Sequence, residues 1–410
     1  MLSVDGAEFT PEELVAMVLT HARDISAIYG DMGSISTVRD CVLTVPSFYT
    51  VHERQALLDA AMLADLNVLA LIDENTAAAL HFGMDRVEAE PKHVLFYNMG
   101  ASATQVSVVK FFSYEHKDSK YGKPRTVGAF EVVGKGWDAT LGGESFDARL
   151  VDYMADQFNK QWDKKRNDGQ QKDVRVNRRA MTKLRLLANK VKHVLSANTD
   201  FPVFIDSLHD DVNLSLDITR AEFEQICHDL HLKASAPVHS ALKSANLTLD
   251  DIDSVELIGG GMRVPKFQVE LQKILGSRLE LGMHINSDES MALGAAFHGA
   301  NVSTAFRVRH VGMSDVNPFP IHVSLENLDV QKRPGGLGGL FGIGAKKVKD
   351  ESAKKDGDED EEDGPWQKRA TLFKSFGKLG VKKTIAFSQD NDVHCSLDYE
   401  ESEYLPDGTE

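Results

Sequence analysis

Short apolar runs alternate with amphipathic stretches along the chain as far as residue 300. The apolar runs predict buried or half-buried strands at residues 41–45, 68–72, 93–97, 105–112, 201–205, 212–218 and 254–258. Apolar positions at helical spacing predict helices at residues 11–29, 53–66, 141–162, 178–196, 220–244 and 291–300. Helices that alternate with apolar strands indicate an α/β domain.

Two of these helices begin with a capping box, in which the first residue and the residue three positions later cap each other. Thr10 precedes Glu13 in this way, and Thr219 precedes Glu222. Residues 163–172 are polar and predict a loop between two helices.

The pattern changes after Asn301. Alternating apolar and polar positions predict strands at residues 306–311, 320–325, 366–373, 381–387 and 393–399. Residues 335–344 are glycine-rich, and residues 346–364 are charged and of low complexity, so neither segment can build a core. The tail is therefore predicted to be a partial β-sandwich with a disordered acidic insertion at residues 334–365.

Composition argues against several classes of protein. The formal net charge of −16 argues against a nucleic-acid partner, because affinity for a phosphate backbone requires a basic face. The three cysteines are far apart and form neither a metal-binding motif nor a disulfide framework. No apolar run is long enough to span a bilayer. The first residues lack the features of a signal peptide, which taken alone predicts a cytosolic protein.

A glycine turn joins a predicted strand to a predicted helix. Three consecutive glycines, residues 259–261, follow the strand at residues 254–258, and Pro265 opens the helix. Glycines let the backbone approach a flat or anionic ligand closely, and the planar guanidinium of Arg263 can stack on an aromatic base. The arrangement is a common way to hold a nucleotide, but it also occurs as a tight connection without a ligand.

Several stretches together resemble the nucleotide-binding domain of the seventy-kilodalton heat-shock chaperone family. They are residues 44–48 (Thr-Val-Pro-Ser-Phe), 66–69, 75–80 (Asn-Thr-Ala-Ala-Ala-Leu), 141–144 (Leu-Gly-Gly-Glu), 257–265 and 286–296. The match is in order and covers about residues 11–300. It implies an actin-like α/β fold of two lobes around a cleft that holds ATP or ADP with Mg²⁺. It also implies a β-sandwich that binds unfolded or nascent polypeptides.

Finer features are similar to the large endoplasmic-reticulum branch of this family, notably residues 96–100, residues 190–198 and the acidic insertion. The resemblance implies a location in the endoplasmic reticulum lumen and a conventional heat-shock chaperone of that compartment as partner. It also implies that the sequence is N-terminally incomplete and lacks the first part of lobe I. The implied domains are the remainder of lobe I at 1–90, lobe II at 91–300, a linker at 301–315 and the partial β-sandwich at 316–410.

The resemblance also assigns site residues by position. Those expected around the adenosine or near the nucleotide are Gly259, Gly260, Gly261, Arg263, Lys192, His193, Ser196 and Asp288. Those expected to form the second phosphate loop are Gly100, Ala101, Ser102 and Ala103. The catalytic candidates, which would contact Mg²⁺ through water, are Glu74 and Asn98.

The phosphate side departs from the family pattern. The family has an acidic residue where this chain has Asn98, and a neutral amide oxygen holds Mg²⁺-bound water less strongly than a carboxylate. Residues 101–103 replace a glycine-rich loop, and a methyl group where positive φ is needed costs about 1 kcal/mol. Base binding is therefore expected to be better preserved than ATP hydrolysis, which is expected to be weak or absent.

Three functions are compatible with the sequence. The first is an ATP-binding chaperone that holds unfolded chains and acts with, or as a nucleotide-exchange factor for, a conventional partner chaperone. The second is a non-catalytic partner-binding module with a decayed phosphate site. The third is a sugar kinase of the actin-like superfamily, which would need a catalytic Asp for the substrate hydroxyl and would not carry the β-rich tail.

Overall fold

The computed structural model describes residues 2–4, 6–30, 38–117, 123–166, 172–305, 307–327, 367–386, 392–399 and 405. The chain divides into two compact units, Met1–Pro318 and Phe319–Glu410. The predicted insertion at residues 334–365 lies outside the described residues. The lobe boundary predicted at residue 90 stays a prediction.

Helices and strands alternate through the first unit, which confirms the predicted α/β class. Its helices are α1 (Pro11–Tyr29), α2 (Val51–Leu63), α3 (Glu74–Gly83), α4 (Gly143–Arg166), α5 (Arg178–Ala197), α6 (Arg220–Ile226), α7 (His228–Leu232), α8 (Ser235–Ala245), α9 (Pro265–Leu275) and α10 (Ser290–Val302). Its strands are β1 (Leu2–Val4), β2 (Ala7–Phe9), β3 (Asp40–Val45), β4 (Asn67–Asp73), β5 (Lys92–Met99), β6 (Thr104–His116), β7 (Arg125–Asp138), β8 (Asp200–His209), β9 (Val212–Thr219), β10 (Ser254–Ile258), β11 (Leu281–Gly282), β12 (Gly312–Ser314) and β13 (Val316–Asn317). Across the described residues, no helix combines the length and the apolar character that a bilayer crossing requires.

The largest sheet has the strand order β11-β10-β5-β6-β7-β12. Strands β5, β6 and β7 are antiparallel, whereas β10 runs parallel to β5 and places Ile258 opposite Asn98. Because both parallel strands end at the same edge, the glycine turn after β10 lies beside the loop after β5. This pairing positions the candidate site.

The main core packs helices against one face of this sheet. Leu95 and Tyr97 of β5 are fully buried with Phe146 of α4, Leu184 of α5 and Phe267 of α9. The hydroxyl of Tyr97 donates a hydrogen bond to the carbonyl of Ala234 at 3.1 Å. Burial of a hydroxyl that has a hydrogen-bond partner costs little free energy, so the aromatic ring of Tyr97 can fill the core.

Strand β7 was missed by the apolar pattern because glycines and a lysine interrupt it. A Cβ at Gly134 would lie 2.3 Å from the carbonyl oxygen of Ala241, and one at Gly136 would lie 2.3 Å from that of Pro237. The two glycines therefore let α8 pack directly on the strand. They serve packing rather than flexibility.

Helix α1 begins with the predicted capping box. The backbone N–H of Thr10 donates to the Glu13 carboxylate at 2.8 Å, and the N–H of Glu13 donates to the Thr10 hydroxyl at 3.3 Å. The apolar residues of this helix are largely exposed, with Val18 at 68%, Ile28 at 71% and Tyr29 at 88%. The helix instead packs through the small side chain of Ala16, against Ala60 of α2 and Ala64 just after α2.

Four predicted segments differ from the structure. Helix α4 continues through Arg166, so the polar segment expected as a loop at residues 163–172 begins as helix. The helix predicted at residues 220–244 is broken into α6, α7 and α8, and Pro237 fits only the first turn of α8 because proline has no N–H to donate. Residues 307–311 and 381–386 are not strands.

The described part of the second unit contains β14 (Ile321–Asn327), β15 (Gln367–Phe373), β16 (Gly377–Lys378) and β17 (Val393–Tyr399). Strand β14 lies between β15 and β17 in an antiparallel sheet. Val323 and Leu325 are buried, and the rings of Phe319 and Tyr399 pack edge to face at 5.6 Å.

Candidate functional site

A cavity of about 350 Å³ lies between α5, the turn after β10 and the loop after β5. The predicted residues that line it are Gly100, Ala101, Lys192, His193, Ser196, Gly260, Gly261 and Arg263. None of the described Asp or Glu side chains is among its lining residues. Cationic groups around open backbone suit an anionic ligand with a flat ring.

Helix α5 presents one wall of the cavity because its opposite face is buried. Ala180, Leu184, Ala188, Val191 and Leu195 of this helix are in the core, which turns Lys192, His193 and Ser196 towards the cavity. The helix starts at a cap in which the Asn177 side chain accepts from the N–H of Ala180.

Lys192 is held at the edge of the cavity by two contacts. Its ammonium group donates to the carbonyl of Gly143 at 2.9 Å and to the carboxylate of Asp147 at 2.8 Å. The hydroxyl of Ser196 donates to the carbonyl of Lys192 at 2.9 Å, so it is available to a ligand mainly as an acceptor.

The glycine turn forms the facing wall. Gly259 has φ +85°, and a Cβ there would lie 2.3 Å from the carbonyl oxygen of Met99, so this position requires glycine. A Cβ at Gly261 would lie 2.6 Å from Met99 Cγ, whereas one at Gly260 would meet no atom of the described residues within 4 Å. Gly259 and Gly261 thus fit the turn against β5, and Gly260 leaves space open on the cavity side.

Arg263 and Asp288 form an ion pair at 2.6 Å beside the turn. Both side chains are more than half exposed, so the pair contributes little to stability and the guanidinium can exchange partners with a ligand. Asp288 contacts the lining residue Arg263 but does not itself line the cavity, and its predicted place near a nucleotide stays a prediction.

The loop after β5 closes on itself and caps α4. The N–H of Gly100 donates to the carbonyl of Ala103 at 2.9 Å. The N–H groups of Gly143 and Glu144 donate to the carbonyls of Gly100 and Ala101 at 3.0 and 2.7 Å. These two donors of the α4 N-terminus are therefore already satisfied.

The prediction of backbone strain in this loop is wrong. The described residues with positive φ do not include Gly100 or residues 101–103. Alanine and serine fit these positions without a φ penalty, because only a left-handed backbone penalises a Cβ. Ser102 and Ala103 are not among the cavity-lining residues.

Glu74 and Asn98 lie side by side beneath this loop. One carboxylate oxygen of Glu74 accepts from the Gln105 amide at 2.6 Å and from the Asn98 amide at 3.4 Å. Burial raises the pKa of Glu74, and the two amide hydrogen bonds partly offset that rise. Asn98 is buried, and its Oδ1 atom has no hydrogen-bond partner among the described residues.

A nucleotide and Mg²⁺ fit this site differently. The cavity offers Lys192, His193, Arg263 and the open backbone at Gly260 to an anionic, flat ligand. Mg²⁺ prefers oxygen ligands, but two amide NH₂ groups point at Glu74, and the oxygen of Asn98 is buried. The described residues contain no cluster of three metal-binding side chains. The cavity therefore fits a nucleotide, whereas Glu74 and Asn98 do not fit Mg²⁺.

A buried ion network next to this site was not found from the sequence. Lys135 of β7 is fully buried and contacts Asp73 and, at 2.6 Å, Asp315. Arg54 pairs with Asp73 at 3.1 Å. The available signal was a single lysine between two glycines inside an apolar segment, because a buried lysine requires partners.

Gln105 was also missed, although it links the predicted catalytic residue Glu74 to the loop that contains Ser47. Its amide oxygen accepts from the N–H of Ser47 at 2.7 Å while its amide nitrogen donates to Glu74. A buried glutamine at the start of a strand gives no distinctive sequence signal.

Comparison with known proteins identifies relatives of the whole first unit. The family described as Hsp70 protein matches residues 1–333. Heat shock 70 kDa protein 17 of Arabidopsis thaliana is 37% identical over 408 residues, which cover 99% of this chain and 42% of that protein. The match confirms the expected actin-like ATPase fold and argues against a sugar kinase.

Hypoxia up-regulated protein 1 is a second relative. The Xenopus tropicalis protein is 42% identical over 318 residues, covering 77% of this chain and 47% of that protein. The Mus musculus protein is 40% identical over 331 residues, covering 80% and 32%. The chain thus spans less than half the length of these relatives.

Proposed function

Because the chain belongs to the Hsp70 family, we propose that it is an ATP- and ADP-binding molecular chaperone with its nucleotide in the cavity beside α5. The observation that carries this proposal is the convergence of α5, the glycine turn and the loop after β5 on one cavity that none of the described carboxylates lines. These elements are distant in sequence, and the cationic and open positions that they bring together suit an anionic ligand.

Four lining residues have a defined task in this proposal. Arg263 stacks on or borders the base, because it is exposed and its ion-pair partner among the described residues is the exposed Asp288. Lys192 and His193 approach the ligand from the opposite wall, and Gly260 admits it close to the backbone. Glu74 and Asn98 have a structural role as polar groups beneath the loop, and they do not hold a metal ion.

The finer proposals concern cellular role. We infer a location in the endoplasmic reticulum lumen, where the chain would hold unfolded polypeptides and act with a conventional heat-shock chaperone, including as its nucleotide-exchange factor. The similarity to Hypoxia up-regulated protein 1 supports this proposal. Two measurements test it: suppression of aggregation of a heat-denatured protein, and the rate of ADP release from the partner chaperone with and without this chain.

The nucleotide site is tested by calorimetric titration of the 410-residue chain with ADP. Lys192→Ala and Arg263→Ala are each expected to weaken binding about tenfold, since a hydrogen bond to a charged group is worth roughly 1.5–3 kcal/mol. Lys190→Ala is the matched control, because Lys190 lies on the same helix, is exposed and does not line the cavity. Equal losses in all three variants would contradict the site.

A second candidate function is a partner-binding module without nucleotide chemistry. The amide hydrogen bonds to Glu74 favour it, because they leave no evident place for the metal that assists phosphoryl transfer. If neither ADP nor ATP binds the wild-type chain, while the chain still accelerates ADP release from the partner chaperone, this second function replaces the first.

A further inference from the structure

We propose that this chain binds ADP without Mg²⁺, so that its nucleotide site is independent of the metal. The inference rests on the proposed nucleotide site and concerns the form of the ligand. The Hsp70 family is known to bind nucleotide with Mg²⁺, so this behaviour would set the chain apart.

The carboxylate expected near the metal is already engaged. The Oε2 atom of Glu74 accepts hydrogen bonds from the amides of Gln105 and Asn98, at 2.6 and 3.4 Å. An amide NH₂ group carries partial positive charge on its hydrogens, so two of them make this corner unfavourable for a dication or its bound water.

In this arrangement the neutral side chain of Asn98 cannot take over the role of the negative charge that the family has at this position. Its nitrogen faces Glu74, and its oxygen is buried beside Gly259, where a Cβ would lie 2.9 Å from it. The buried oxygen is therefore turned away from solvent and has no access to a hydrated ion.

Three further carboxylates around the site have cationic partners. Asp147 pairs with Lys192 at 2.8 Å, and Asp288 pairs with Arg263 at 2.6 Å. Asp73 pairs with Arg54 and with the buried Lys135. Each of these charges is offset within the protein, which leaves little electrostatic attraction for a divalent ion.

The cationic members of two of these pairs line the cavity, and their carboxylate partners do not. Lys192 and Arg263 therefore face a ligand, while Asp147 and Asp288 lie outside the lining. Free ADP carries more negative charge than its magnesium complex and is attracted more strongly by these groups. The hydration shell of the metal meets no carboxylate among the described residues of the lining.

The test is calorimetric titration of the wild-type chain with ADP in excess EDTA and again in excess MgCl₂. We expect the dissociation constant in EDTA to be equal to, or about threefold below, that in MgCl₂. Binding that is about tenfold weaker in EDTA overturns the inference but leaves the nucleotide site standing. No binding in either buffer overturns the proposed nucleotide site, and the inference with it.

Asn98→Asp supplies the matched variant. It places a second carboxylate beside Glu74, so ADP binding in EDTA should weaken about tenfold, and MgCl₂ should restore it. The thermal unfolding midpoint of the variant, measured with and without MgCl₂, reports the same coupling without any ligand. A variant with no response to MgCl₂ in either measurement overturns the role given to Asn98.

Discussion

Replacement of Lys135 by methionine tests the buried ion network beside the site. The ammonium group of Lys135 contacts Asp73 and Asp315 and donates to the carbonyl of Val316 at 3.2 Å. Methionine fills a similar volume, so the lost charge sets the cost. Removal of one partner from a buried ion pair costs about 3–5 kcal/mol, and we expect a loss of that size in the free energy of unfolding.

The loss of the Lys135 ammonium group affects Asp73 and Asp315 unequally. Asp73 keeps the cationic Arg54 at 3.1 Å, whereas Asp315 keeps two neutral donors, the Thr76 hydroxyl at 2.6 Å and the N–H of Val316 at 2.7 Å. Burial raises the pKa of Asp315, and Lys135 opposes that rise. Without Lys135 the pKa rises further, so the folded variant binds a proton more readily than the unfolded chain. The stability deficit of the variant should therefore shrink as pH falls from 7 towards 5.

The assay is urea unfolding followed by tryptophan fluorescence at pH 7 and at pH 5. Asp315→Asn in the Lys135→Met background should recover about 1–3 kcal/mol, because it removes a buried unpaired charge. Lys190→Met, at an exposed position, serves as the control and should change stability by less than about 0.5 kcal/mol. A loss below about 1 kcal/mol for Lys135→Met, or a deficit independent of pH, would refute the reasoning.

Three further predictions concern other parts of the first unit. Burial lowers the pKa of His231 to about 4, so the unfolded chain binds more protons than the folded chain between pH 6.5 and 4. The free energy of unfolding should therefore decrease as the pH is lowered through that window. His231→Phe should reduce this decrease, measured as a smaller shift of the urea midpoint. Burial raises the pKa of the Cys227 thiol to about 12, so Cys227 should react with a thiol reagent at pH 8 far more slowly than the exposed Cys395, as mass spectrometry of labelled peptides would show. A Cβ at Gly294 would lie 1.8 Å from the carbonyl oxygen of Ala77, so Gly294→Ala should cost about 3 kcal/mol or more in urea unfolding, whereas Gly276→Ala, where a Cβ meets nothing, should cost less despite its positive φ.

The elements that the sequence predicts well are those with local signals. Helix α1 carries its own capping box, and β10 is an apolar run closed by glycines, so neighbouring residues suffice to define them. The helix predicted at residues 220–244 shows the limit of such signals. Its spacing is helical, yet the chain breaks it twice, and only the break before α8 has a local cause in Pro237.

The site could be predicted only as far as its residues resemble a family. The cavity brings together residues of α5 and the glycine turn, and their meeting depends on the pairing of β10 with β5. The partners of Lys135 and Glu74 could not be predicted, because each contact depends on tertiary packing. Asp73 lies 62 residues from Lys135, and Gln105 lies 31 residues from Glu74.

The apolar exterior of α1 has a consequence for the colloidal behaviour of the chain. The exposed apolar surface of this helix, formed by Val18, Ile28 and Tyr29, attracts other apolar surfaces. The net charge of −16 makes the molecules repel one another. Added salt screens that repulsion over about 8 Å at physiological ionic strength and does not weaken the apolar attraction. The chain should therefore stay dispersed in dilute buffer and self-associate as salt is raised, the reverse of a protein held together by ion pairs.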